Sequence, residues 1–419
     1  MANHSDATIL TPGQVIDKIE RGSPQFRRVT LGLFLAGLST FTLLYCVQPL
    51  LPLFSTLFGV TAANSSLALS LSTASLAISI VLASVLSERF GRKPVMAISL
   101  VSAAVCQLAV AVAPGWHALL VLRALEGFCL GGTPAVAMAY IAEEVGPGAL
   151  ASVMGLYIGG NAIGGMSGRL LTGIIVEASD WRVAMGVIGA ISLAAAIGLI
   201  ALLPTSRHFR AQPDIRPHYH LAAWTMHLRN PRMRWYYLIG FLVMGAFVTI
   251  YNYTGYRLER PPYALGQSAQ GAIFLVYIFG TMASTWSGPL GDRFGRAKVL
   301  NISALIALGG ALLMLAAPLP LIIAGVSLVT IGFFGAHSAA SAAVGRLAES
   351  HKGHASSLYL LFYYLGSSVV GSAGGLFWAE FGWPGVVAFV SAALIGVFAI
   401  GAYLARTAPM TTAQMLAAR

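Results

Sequence analysis

Charge is what this chain has least of. Only 9% of its 419 residues are Asp, Glu, Lys or Arg, and acids are the scarcer sign, 14 against 25 bases. A domain that lives in water keeps roughly a quarter of its residues charged, so water is excluded as the surrounding solvent. Cysteine is nearly absent too. Cys46, Cys106 and Cys129 fall inside apolar runs with no close spacing, which offers no disulfide framework and no metal site and leaves them as small buried apolar residues. Neither a Walker phosphate loop nor a nucleophile–base constellation occurs. ATP-driven transport and covalent chemistry therefore lack support, and neither an enzyme activity nor a cofactor is expected. The net charge of +11 is scattered in short segments between apolar runs rather than gathered on one face, so no nucleic-acid partner is expected.

What the chain has is hydrophobicity. Apolar residues make up 57% of it, in recurring runs of about 20, the length that crosses a hydrocarbon core. These runs predict an all-α polytopic membrane protein with a lipid bilayer as its partner. Spans are expected at residues 29–54, 65–87, 95–113, 117–142, 150–176 and 181–203, and again at 235–257, 268–291, 299–318, 319–346, 354–379 and 384–406. The first 28 residues are polar and hold no short apolar signal region, so the N-terminus is expected in the cytoplasm. With that orientation, and with span ends counted as loops, inner segments carry 20 Lys and Arg, outer loops three and spans two. This is the bias of the positive-inside rule, and it places both termini inside. The organisation expected is a cytoplasmic segment 1–28, a six-helix unit 29–203, a linker 204–234, a second six-helix unit 235–406 and a tail 407–419. His208, His218, His220 and His227 lie in the linker without the regular spacing of metal ligands, and are read as part of a solvated segment with a short surface helix.

The scarce charge is concentrated twice. "SERFGRKPVM" (Ser87 to Met96) and "GDRFGRAKVL" (Gly291 to Leu300) each carry four charges, and each follows the second span of its six. Glu88 and Asp292 hold equivalent positions in two turns on the same face, which points to a parallel internal repeat.

At these residues the sequence resembles the major facilitator superfamily, over residues 29–406. "GPLGDRFGRAK" (Gly288 to Lys298) follows the superfamily's signature loop almost fully. "SVLSERFGRK" (Ser84 to Lys93) departs by Ser for Gly and Glu for Asp, and "LLVLRALEG" (Leu119 to Gly127) is similar to its fourth-helix motif. The entry "RGSPQFRRVTLGLFLAGLSTFTLLYCVQPLLPLF" and "GGNAIGGMSGRLL" are most like the bacterial YnfM-type exporters, near the drug–proton antiporters. The resemblance implies twelve transmembrane helices in two pseudo-symmetric six-helix bundles that rock about a central site. In such a fold the acid of each charged turn faces a helix of the other half. Glu88, Arg89, Arg92, Asp292, Arg293 and Arg296 are accordingly expected to form a cytoplasmic latch; loop anchoring alone needs no acid.

Three charges lie inside spans: Arg123, Glu126 and Arg169. Each costs about 2.5–3.5 kcal/mol there unless paired or wet. Arg123 and Glu126, three apart, share a helix face; they are proton-coupling candidates, with His337 as a third. The alternative for the pair is a permanent structural ion pair, and for His337 a packing role. Gly160, Gly164 and Gly168 recur every four residues and form a ridge for close helix packing. Gly160-Asn161 stands where the related antiporters carry Gly-Pro. Tyr45, Gln48, Asn161, Arg169, Tyr251, Asn252 and Tyr359 are the substrate-cavity candidates, with aromatic core filling as the plainer role for the tyrosines. The expectation is a proton-coupled exporter of a small amphipathic drug or metabolite in the bacterial inner membrane, working as a monomer. Proton-linked uptake of a sugar or organic acid is the first alternative, and a non-transporting receptor the second.

Overall fold

A computed structural model describes residues 18–209 and 217–407; the first residues of the N-terminal segment, the middle of the linker and the rest of the tail lie outside the described residues. Every regular element among them is helical: α1 (Pro24–Tyr45), α2 (Leu51–Phe58), α3 (Ala62–Ser65), α4 (Leu67–Phe90), α5 (Arg92–Ala111), α6 (Trp116–Leu130), α7 (Pro134–Glu144), α8 (Pro147–Ala178), α9 (Trp181–Leu202), α10 (Pro217–Arg229), α11 (Pro231–Glu259), α12 (Gln267–Ala272), α13 (Tyr277–Phe294), α14 (Arg296–Leu313), α15 (Leu319–Leu347) and α16 (Lys352–Arg406). Eleven helical stretches among the described residues are long and apolar enough to cross a membrane. Their lipid-ready surface is plain in Ile98, Val112, Trp286 and Leu376, all exposed.

Local chemistry sets the ends. The Ser23 side chain accepts from Phe26 N with Pro24 in the first turn, Asp180 accepts from Arg182 N and Val183 N, and Asn230 does the same for α11 ahead of Pro231; these are N-cap signals. The charged turns bend at Gly91 and Gly295, with φ of 93° and 90°, a region where a Cβ is strained. The same backbone device thus occurs at both sites. α16 is two helices in one stretch: Gly382 breaks it at φ 61°, ψ −150°, two residues before Pro384. The first predicted span continues as α1, a tight turn and α2, because Pro49 and Pro52 deprive the helix of N–H donors.

The helices of residues 24–202 pack mainly among themselves, and those of 231–406 do likewise. Within the first set, Gly160, Gly164 and Gly168 of α8 lie against the backbones of Phe34, Leu38 and Thr42 of α1, a register in which both helices step by four. Thr42 Oγ1 donates to Gly164 O across this seam at 3.0 Å. The second set repeats it: Thr249 Oγ1 donates to Val370 O at 3.0 Å between α11 and α16, and Gly366 lies against the Phe241 backbone.

The two sets meet unevenly. α4 runs toward the face that carries Gly91 and Gly295, here the turn face, and the hydrogen bonds between the sets lie toward the opposite, far face. Ser55 bonds Tyr256 at 2.6 Å, Ser372 bonds Ser70 at 2.7 Å, Thr73 bonds Ser368 at 2.7 Å, and Ser268 N donates to Glu177 at 2.7 Å. Among the described residues no hydrogen bond or ion pair joins the sets near the turn face. α10, of the linker, lies instead on the start of α16, where His220 meets His354 at 2.9 Å and His227 meets His351 O at 3.2 Å.

Candidate functional site

The break after α1 places Gln48 at the joint between the two sets. Its Nε2 donates to Asn252 Oδ1 of α11 at 2.6 Å, and its Oε1 accepts from Arg169 Nε of α8 at 2.6 Å. One amide therefore ties three helices together, with the arginine fixing which way it points. Three of the cavity candidates come together here, and all are buried.

Arg169 is fully buried and forms no ion pair among the described residues. Its Nη1 donates to Gly165 O at 2.6 Å, while Nη2 meets no acceptor with hydrogen-bond geometry. Aromatic rings take the place of a carboxylate: the guanidinium carbon lies 4.1 Å from the centre of Tyr45, 4.8 Å from Phe274 and 4.9 Å from Tyr277. Cation–π contacts of this kind gain strength when desolvated, reaching about 2 kcal/mol or more. Phe274 and Tyr277 belong to the other set, so this cage is built across the joint. Neither was visible as a site residue in the sequence; each is one aromatic among many.

Arg123 and Glu126 pair on α6 at 2.5 Å, both wholly buried. Arg123 does more than neutralise an acid. It donates to Leu43 O and Leu44 O, the carbonyls left open where α1 stops, to Ala68 O of α4 and to Gln107 Oε1. The guanidinium thus holds the break that positions Gln48, only four residues further along. Glu126 Oε1 has no partner, so this carboxylate has an open site for a proton. Ser72 Oγ donates to Arg123 O at 2.8 Å, and Gly127 lies against the Ser72 backbone, which seats α6 on α4.

The remaining candidates divide. His337 is half-buried and its Nδ1 lies 2.9 Å from Tyr359 Oη, its ring stacked on Phe333 and tilted against Tyr363 within the second set. Tyr251 bonds Thr330 at 2.7 Å and stacks on Phe274, one ring away from Arg169. Asn161 stands apart from Arg169: it is half-buried against Gly37, and its Oδ1 has no partner. Cys106 and Cys129, unrelated in spacing, come within hydrogen-bonding reach of one another on α5 and α6.

The latch residues do not reach across the joint in this structure. Arg92 pairs with Glu143 at 2.7 Å and bonds Ser87, all within the first set, and lies over Phe209 of the linker. Asp292 pairs with Arg296 at 2.8 Å and with Arg346 at 3.6 Å, both in its own set. Arg89 and Arg293 are exposed, each beside its neighbouring phenylalanine, and Glu88 is half-buried with no ion pair among the described residues. Glu143 was not singled out in the sequence; it stands where α7 ends, and only the fold brings it to Arg92.

The sequence profile of the Major Facilitator Superfamily matches residues 31–286 and again 261–414. The chain belongs to this superfamily. It is 47% identical to the inner membrane transport protein YnfM of Escherichia coli (strain K12) over 93% of both chains. To the uncharacterized MFS-type transporter YybF of Bacillus subtilis (strain 168) it is 45% identical, over 94% of this chain and 97% of that one. The superfamily fold is matched in a bacterial homologue of the human lysosomal transporter Spinster, with a TM-score of 0.72 at 15% identity over 92% of this chain and 98% of that chain. The chain is therefore a multi-pass membrane protein of a transporter superfamily, and both relatives are named as transporters.

Proposed function

We propose that this superfamily member is a proton-coupled secondary transporter that exports a small amphipathic drug or metabolite across the bacterial inner membrane by alternating access. In this reading the break at Gly382 divides the last helical stretch in two, giving twelve spans in two pseudo-symmetric six-helix bundles, residues 29–203 and 235–406, joined by the linker 204–234. One chain supplies both bundles and works as a monomer, with both termini and the turn face in the cytoplasm.

The observation that carries the reading is the one-sided joint. Bonds between the sets gather toward the far face, while the charged turns keep their ion pairs to themselves. A transporter closed outside and open inside has this pattern. In the opposite state Glu88 and Asp292 face the other bundle and latch the cytoplasmic side. Glu126, with one unpartnered oxygen beside a clamped arginine, takes the proton: protonation removes its charge, releases Arg123 from the pair and so loosens the hold on the α1 break beside Gln48. Linkage between that break and the joint couples the proton to the opening of the far face.

Substrate-dependent proton flux in proteoliposomes tests this. Wild-type protein should move protons when a transported compound is present, and Glu126→Gln should not; flux without any dependence on Glu126 would remove it from the coupling step. Uptake of an organic acid is the second reading, favoured by the position of Arg169 on the far-face side of the joint. Cells lacking the protein accumulate the compound under the first reading and starve for it under the second.

A further inference from the structure

Arg169 is a cation in a membrane protein, and among the described residues no acid pairs with it. The groups that touch it are Gln48 Oε1, Gly165 O and the rings of Tyr45, Phe274 and Tyr277, all neutral. A buried charge of this kind is costly unless it is matched at some stage of the working cycle. The two residues that bond Gln48 each carry an unmet donor. Arg169 Nη2 and Asn252 Nδ2, on either side of Gln48, are both buried donors without acceptors. What completes two donors, one of them charged, is an anionic acceptor with two oxygens, and a guanidinium fork fits a carboxylate.

The rest of the ligand follows from the surroundings. Tyr45, Phe274 and Tyr277 present ring faces to the guanidinium, with Tyr251 stacked on Phe274 behind them. When the sets part on the far face about the Gln48–Asn252 contact, Phe274 and Tyr277 leave with the second set, while Arg169 keeps Tyr45, Gly165 O and the Gln48–Asn252 pair. A flat aromatic body can take the place the departing rings vacate. A lipid headgroup is the wrong source, since Arg169 faces the interior, wholly buried, nine residues or about 13 Å before α8 ends at Ala178.

We propose that Arg169, with Gln48 and Asn252, binds the carboxylate of a small aromatic acid, whose ring lies against Tyr45 in place of Phe274 and Tyr277. The rings are then stand-ins that hold the guanidinium while the joint is shut. This rests on the transporter reading and narrows it to a substrate class.

The test is binding by the purified full-length protein, read as a concentration-dependent rise in melting temperature with four probes: benzoate, its neutral isostere benzamide, acetate and hexanoate. Benzoate should stabilise wild type and benzamide should not. Acetate and hexanoate should need about tenfold higher concentration, since they lack the ring. R169K keeps the charge but loses the fork and should weaken benzoate about tenfold, and R169Q should abolish the shift. Y45L keeps the arginine and should weaken benzoate more than acetate. Equal shifts from benzoate and benzamide, or a benzoate shift that survives in R169Q, would overturn the anion site. Equal potency of hexanoate and benzoate would overturn the aromatic part. Absence of any benzoate shift in wild type overturns the proposal as a whole. The binding measurement needs no proton flux, so its failure leaves the transporter reading to stand or fall on Glu126→Gln.

Discussion

Gln48 and Asn252 are hydrogen-bonded at 2.6 Å and stand 204 positions apart, the same offset that separates Glu88 from Asp292 and Gly91 from Gly295. Under the proposed repeat these two residues are equivalents that touch one another, and their contact would lie on the axis relating the halves. On the turn face, the equivalent acids Glu88 and Asp292 make no such contact. In the proposed cycle this difference between the two faces is what changes between states.

Removing the axial contact should therefore favour parting of the far face. Gln48→Ala takes away a hydrogen bond to a charged group, worth about 1.5–3 kcal/mol in other proteins, and a shift of even 1 kcal/mol changes a two-state ratio about fivefold. Thiol labelling of a Ser372→Cys reporter, whose hydroxyl bonds Ser70 across the joint, should speed up about fivefold or more in the Gln48→Ala background. Unchanged labelling would mean that the amide is only a spacer.

The charged pair on α6 should behave asymmetrically. Arg123→Ala leaves Glu126 buried without its counter-ion and takes a donor from three backbone carbonyls. Breaking a buried pair by removing one partner costs about 3–5 kcal/mol, so a marked fall in melting temperature is expected. Glu126→Gln retains the shape and should leave the melting temperature near wild type while pH-gradient-driven transport is lost. Equal stability losses in the two variants would make the pair structural.

The glycine seam gives a stability prediction with an internal control. A Cβ on Gly164 would run into the backbone of Leu38, whereas one on Gly155 in the same helix meets nothing within 4 Å. Gly164→Ala should destabilise by about 1–3 kcal/mol through overpacking, and Gly155→Ala should be neutral or slightly stabilising. Melting of the two variants side by side decides it.

The linker helix should be pH-sensitive. Burial holds His227 below its ordinary value of 6.5, and His351 faces it, with His220 and His354 in the same ring stack. A histidine with a depressed pKa contributes stability above its ordinary value, which is lost as pH falls toward the depressed one. Docking of α10 should be complete at pH 7.5 and weaken below about 6.5. Hydrogen exchange of residues 218–229 at pH 7.5 and 5.5 reads this directly, with faster exchange at the lower pH expected.

Much of this was legible in the sequence because it is local. The i, i+3 spacing of Arg123 and Glu126, the four-residue glycine ridge and the twin charged turns are all patterns within one element. The spans were legible for the same reason, but the first was read as unbroken over 29–54, although Pro49 and Pro52, where the structure breaks it, are visible as letters. What stayed hidden depends on distant segments. Gln48 was a candidate by its place on a helix face, yet its partners come from α8 and α11. The cage around Arg169 draws Phe274 and Tyr277 from beyond the linker. Arg92 stood in the latch motif, but its acid is Glu143, which no motif marks. The docking of α10 on His351 and His354 was likewise out of reach, because a surface helix and a span meet there only in the fold.

The central claim, that the two sets rock about the Gln48–Asn252 contact, has a direct measurement. Spin labels at Leu86 and Leu290, exposed equivalent positions on α4 and α13 just before the charged turns, report the turn face. Labels at Val112 and Leu315, exposed at the other end, report the far face. Distance distributions in lipid, in the wild-type background and with Gln48→Ala, should move in opposite directions, the turn-face pair shortening as the far-face pair lengthens. Two distances that stay fixed, or lengthen together, would contradict the account.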